Sequence, residues 1–62
     1  MEITKDMLIA DLLRAKPEAA DVLMASGMHC LGCAMAHGES IEGACMVHGI
    51  DVEELLARIN AL

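Results

Sequence analysis

The chain contains no phenylalanine, tyrosine or tryptophan. Its hydrophobic content, 56% of residues, must pack as Leu, Ile, Val, Ala, Cys and six Met. Such a set suits closely packed short helices better than a sheet of bulky β-formers. Cations are equally scarce. Lys5, Arg14, Lys16 and Arg58 stand against ten acidic residues, for a net charge of −6. Four scattered cations assemble no basic patch, which argues against nucleic acid as a partner. Long apolar runs are missing too. Stretches such as Val22-Leu23-Met24-Ala25 fall far short of the roughly 20 residues of a membrane-spanning helix. The acidic start Met1-Glu2 does not open like a signal peptide. The expectation is a cytoplasmic chain with no membrane partner.

Sixty-two residues hold one domain, 1–62. A chain this short buries only about 60% of its unfolded surface, so it leans on a disulfide, a metal or a second subunit. So apolar a sequence on so small a body leaves apolar surface exposed, which makes a homo-dimer an expectation to carry forward.

What is present is organised around Gly27-Met28-His29-Cys30-Leu31-Gly32-Cys33. Before it, the spacing of Ile9, Leu12 and Leu13 predicts a helix over 9–15, although Leu8 stands where a Ser, Thr or Asp cap belongs. Ile3 alternates with polar neighbours and is expected to pack as an extended tail. Pro17 ends the first helix and opens the next at its first position, where a missing amide hydrogen costs nothing. Ala19, Val22, Leu23 and Ser26 form the inner stripe of that second helix. Gly27 then supplies its left-handed stop, with Met28 folding back.

After the cysteine pair, a short helix is expected from near Leu31 or Gly32 to Gly38. Ser40 caps another through about Val47, closed by Gly49, with the stripe Ile41, Ala44, Cys45 and His48. Asp51 starts the last helix as a capping box with Glu54, and Ile50 with Leu55 makes a hydrophobic staple. Val52, Leu55, Leu56 and Ile59 face inward. The fold class is all-α, a compact bundle of four to five short helices.

Two cysteines separated by two residues can close a small disulfide ring or present two thiolates to one metal ion. In a cytoplasmic chain both outrank a permanent staple. At the start of a helix, the sulfur of Cys30 meets unpaired amides and the positive dipole end, which favours thiolate over thiol. Cys30 then attacks and Cys33 resolves the mixed disulfide. Gly32 leaves room for the ring, and His29 assists only when protonated.

The alternative is a carrier of zinc, iron or an iron–sulfur cluster, drawing on Cys30, Cys33, His29, Cys45 and His48. It lacks the second tightly spaced pair of a zinc ribbon. Cys45 reads first as a small core residue. His48, ahead of Gly49, and His37, ahead of Gly38, read as helix-end residues, and the methionines read as core filler. Covalent haem is excluded because Ala34, not His, follows Cys33. A third reading is a non-catalytic docking module for a redox enzyme.

Ile3-Thr4-Lys5-Asp6-Met7, Pro17-Glu18-Ala19-Ala20, the Gly27–Cys33 stretch, His48-Gly49-Ile50-Asp51, Leu55-Leu56 and Asn60 together resemble the hybrid-cluster-protein-associated redox disulfide domain family. These are small, all-helical domains of unknown function, and the likeness spans essentially the whole chain. A looser similarity runs to the N-terminal domain of iron–sulfur-cluster-repair di-iron proteins. The resemblance implies a redox-active disulfide on Cys30 and Cys33 and service to hybrid-cluster or nitrosative-stress metabolism in anaerobes, while the dithiol reading itself expects no cofactor and a redox partner protein. The chain departs from the family at Leu8, where a capping Thr is usual, and at Cys45, where a small residue such as Ala is usual.

Overall fold

Four helices carry the architecture of the described residues, which are 2–28 and 38–62 of a computed structural model. They are α1 (Ile9–Ala15), α2 (Ala19–Ala25), α3 (Ile41–His48) and α4 (Val52–Asn60). The all-α expectation holds, and the first helix has the bounds its periodicity predicts. Helix α4 is the hub, packing against α2 and α3, while α1 packs against α2. Its inner face is the predicted one: Leu55 and Ile59 are buried, and Val52 and Leu56 are half-buried against them. The rest of the core is Ile3, Ile9, Leu12, Ala19, Leu23, Met28, Ile41, Ala44 and Cys45.

The helix starts show where tertiary structure replaces local signals. Leu8 offers α1 no side-chain cap. Instead the Ile9 amide donates to the carbonyl of Glu39, 2.9 Å away, just ahead of α3. In return the Ile41 amide, first in α3, donates to the carbonyl of Met7 at 2.9 Å, just ahead of α1. Leu8 and Ser40 thereby form an isolated antiparallel bridge. Each helix borrows a cap from the segment preceding the other.

The remaining first-turn amides of α3 are also satisfied. Glu42 donates to the carbonyl of Lys5 at 3.0 Å, and Gly43 to the Ser40 hydroxyl at 3.0 Å. A helix N-terminus normally leaves such groups to solvent or ligand. Here the chain's own N-terminal segment closes them.

That segment is only partly the extended tail expected. Ile3 is buried, but residues 4–7 form a turn closed by the Met7 amide on the Thr4 carbonyl. Pro17 also differs from expectation. The Ala19 and Ala20 amides donate to Lys16 and Pro17 carbonyls in tight turns, so Pro17 precedes α2 instead of occupying its first position. Asp51 caps α4, accepting from the Glu53 and Glu54 amides at 3.0 and 3.3 Å. The return half of the capping box is not made, because Glu54 reaches forward to Arg58 at 3.0 Å.

Candidate functional site

The two ends of the cysteine segment lie within the described residues. Upstream, α2 is stopped by two bonds that fold the chain back: Gly27 N–H to Met24 O at 3.1 Å and Met28 N–H to Leu23 O at 3.0 Å. This is a Schellman motif. Gly27 sits at φ +112°, a conformation that side chains disfavour. Met28 and Leu23 are both buried, the apolar contact that accompanies the motif. Downstream, Gly38 has φ +65°, and Glu39 and Ser40 are held by the bridge to Leu8 and Ile9.

Residues 29–37 between these anchors lie outside the described residues. Cys30 and Cys33, with His29 and His37, fall there, as does the helix expected from near Leu31 or Gly32.

The third cysteine is described. Cys45 is a free thiol, 1% exposed, in the core face of α3. Burial pushes its pKa up, and the Asp51 carboxylate adds to the rise. Both effects oppose thiolate formation, which makes Cys45 a poor nucleophile and a poor metal ligand as it stands. The core reading of this residue is therefore correct.

His48 is a correction. The i, i+3, i+4, i+7 stripe placed it on the buried face, but its ring is exposed. The buried part of the stripe stops at Cys45 although α3 runs on to His48, because the last turn of the helix, Met46 to His48, stands exposed. Cys45 accepts both closing amides, those of Gly49 and Ile50. Of the alternative metal set, Cys45 thus faces inward and His48 faces solvent. Among the described residues no three His, Cys, Asp or Glu side chains converge as a ligand group.

A groove of about 290 Å³ opens between the end of α2 and the start of α4, with Ala25, Ser26, Ile50, Asp51, Glu54, Leu55 and Arg58 on its walls. Its charged groups already have partners: Asp51 holds the α4 cap, and Glu54 holds Arg58. No buried side-chain nitrogen or oxygen among the described residues lacks a hydrogen bond. The groove carries no preformed catalytic constellation. None of the described helices is long and apolar enough to cross a membrane.

One polar residue escaped functional reading of the sequence. The Asn60 side chain accepts from the Ile3 amide at 2.8 Å and donates to the Ile3 carbonyl at 3.1 Å. Nothing local marks an Asn at a helix end as the partner of a backbone 57 positions away.

Residues 3–56 match the family described as a domain of unknown function, DUF1858. The chain is also similar to a protein from Clostridium thermocellum, a Northeast Structural Genomics Consortium target solved in solution by NMR. The two share 52% identity with a TM-score of 0.85, over 98% of this chain and 87% of the other. No curated protein matches.

Proposed function

The chain belongs to the DUF1858 family of domains of unknown function, and we propose that it works as a small redox protein whose Cys30 and Cys33 cycle between dithiol and disulfide. The observation that supports this reading most is the anchoring of the described frame. A forced helix stop with a buried Met28 lies on one side of the pair, and a bridged Glu39-Ser40 lies on the other. A dithiol couple depends on holding two sulfurs within bonding reach while leaving one open to attack. The same frame sets Cys45 apart as a buried, hard-to-ionise thiol.

In the reducing direction, a partner's thiolate attacks one sulfur of the disulfide. The partner's second thiol then resolves the mixed bond. Two electrons and two protons reach Cys30 and Cys33, and the partner is left as a disulfide. On the resemblance to hybrid-cluster-protein-associated domains alone, the setting we propose is hybrid-cluster or nitrosative-stress metabolism in the cytoplasm, with a redox protein as partner.

Thiol titration with peptide mapping tests the reading. Titrated under denaturing conditions, the oxidised protein should contain one free thiol, Cys45, and the reduced protein three. Iodoacetamide on the reduced protein should label Cys30 first, Cys33 next and Cys45 last. A bond mapped to Cys45 would overturn the assignment. Zinc or iron near one per chain after anaerobic purification, lost in Cys33→Ser, would replace it with the metal-carrier reading.

A further inference from the structure

We infer that residues 3–8 form a strap that lifts off the helices as one unit and opens the start of α3, with Asn60 as its latch. The strap is independent of the redox chemistry proposed above. At its outer end the Asn60 side chain pairs with the Ile3 backbone, accepting from the amide at 2.8 Å and donating to the carbonyl at 3.1 Å. Swapping the oxygen and nitrogen of that side chain would mismatch both contacts, so its orientation is set by its partner. Further along, the Lys5 carbonyl takes the Glu42 amide at 3.0 Å and the Met7 carbonyl takes the Ile41 amide at 2.9 Å. The remaining hold is the Ile3 side chain, 1% exposed in the core.

These holds are thin in apolar contact. Ile3 is the one buried side chain of residues 2–8; Met7 is half-buried, and Glu2, Thr4, Lys5, Asp6 and Leu8 are exposed. The Lys5 ammonium lies 3.5 Å from the Glu42 carboxylate, an exposed pair that adds little. The latch sits at the last residue of α4, with Ala61 and Leu62 exposed beyond it. The rest of the described core belongs to the helices and Met28. A segment resting on few apolar contacts opens at lower cost than the core beneath it, and does so as a cooperative unit.

The strap has the build of a single body. The Met7 amide closes a turn on the Thr4 carbonyl at 3.2 Å, which ties the Lys5 and Met7 carbonyls together. Once Ile3 leaves the core and Asn60 lets go, little else holds those carbonyls to α3. At the inner end Ile9 is buried, and its amide bonds to the Glu39 carbonyl, so the strap stays tethered where it joins α1. Lifted, it leaves the first two amides of α3, Ile41 and Glu42, without acceptors, while Ser40 still serves Gly43. Docked, it withholds those two amides from any other acceptor.

Amide hydrogen exchange on the full-length protein tests the strap. Asn60→Ala removes both bonds to Ile3. Exchange at Ile3 should quicken by about tenfold, the scale of one or two ordinary hydrogen bonds. Exchange at Ile41 and Glu42, which Asn60 does not touch, should quicken by the same factor. Leu23 in α2 and Leu56 in α4 should keep their wild-type rates. Ile3→Ala, which empties the strap's hold in the core, should move the same three amides and spare the same two.

Quickening at Ile3 alone would overturn the inference, because the latch would then act only on its own partner. Equal quickening at all five amides would also overturn it, because the strap would have no opening separate from the core. Should neither variant fold, the wild type decides. Ile3, Ile41 and Glu42 should share one protection factor, lower than those of Leu23 and Leu56. Protection equal to that of Leu23 and Leu56, or three unrelated values, overturns the strap.

Discussion

The amide of Met28 donates to the carbonyl of Leu23 at 3.0 Å, and both side chains are buried. One hydrogen bond and one apolar contact thus turn the chain out of α2 immediately before the cysteine pair. Gly27 makes the turn possible, and among the described residues, its two chain neighbours aside, no heavy atom lies within 4 Å of where its Cβ would stand. Any penalty for a side chain there is one of backbone conformation.

Gly27→Ala should destabilise the protein by about 1–2 kcal/mol, read as a lower urea midpoint at unchanged slope. Gly49, at φ +68° with equally open surroundings, lies in the ordinary left-handed region. Asn should therefore be tolerated better at position 49 than at 27, where φ +112° lies outside the range Asn visits readily. The reverse ranking would mean that the two stops are not governed by backbone conformation.

Cys45 should make stability depend on alkaline pH. Its folded pKa is raised, first by burial and then by Asp51. As pH climbs past about 8.5, the unfolded thiol loses its proton before the folded one does. The unfolded state then binds fewer protons, and stability falls as pH rises toward the folded value. Below the unfolded pKa the effect is absent. Denaturation of the reduced protein across alkaline pH should show a shallower decline in Cys45→Ala than in the wild type.

Asp51 plays two parts that one pair of substitutions can separate. Asp51→Asn keeps a good cap for the Glu53 and Glu54 amides but removes the charge. The Cys45 pKa should fall, yet stay above the ordinary thiol range because burial is the larger cause. Asp51→Ala loses the cap as well and should cost about 1 kcal/mol. Alkylation of Cys45 as a function of pH, with Cys30 and Cys33 held as a disulfide, reads the first effect. Thermal denaturation reads the second.

Ser40 and Gly43 should be coupled. The Ser40 hydroxyl caps the Gly43 amide, and it also lies 3.2 Å from where a Gly43 Cβ would be. Gly43→Ala gains helix propensity of up to about 1 kcal/mol but crowds the hydroxyl. Ser40→Ala should cost about 0.5 kcal/mol, low for a cap, since Met7 and Lys5 carbonyls still serve the neighbouring amides. A double-mutant cycle should give a stabilising interaction of about 0.5 kcal/mol for the pair of alanines. Strict additivity would show that the hydroxyl moves aside freely.

Much of this molecule is determined by sequence alone, because its signals are local. The 3.6-residue spacing of Ile9, Leu12 and Leu13 sets α1, and that of Val52, Leu55, Leu56 and Ile59 sets the inner face of α4. Gly27 and Gly49 end helices because glycine alone takes positive φ at no steric cost. Ser40 and Asp51 start helices because their oxygens reach amides a few residues on. The Cys30-x-x-Cys33 pair is legible for the same reason, being a spacing within one turn of chain.

Tertiary structure decided what depends on groups far apart in sequence. No local signal pairs Leu8 with Ser40, or lets Glu39 and Met7 cap each other's helices, because backbone carbonyls are the same in every residue. Asn60 finds Ile3, 57 positions away, only once the helices have packed. The same packing buries Cys45 beside Asp51 and leaves His48, one turn further on, in solvent. Periodicity predicts which residues share a helix face. How far along the helix that face stays covered is set by the length and position of the neighbouring elements.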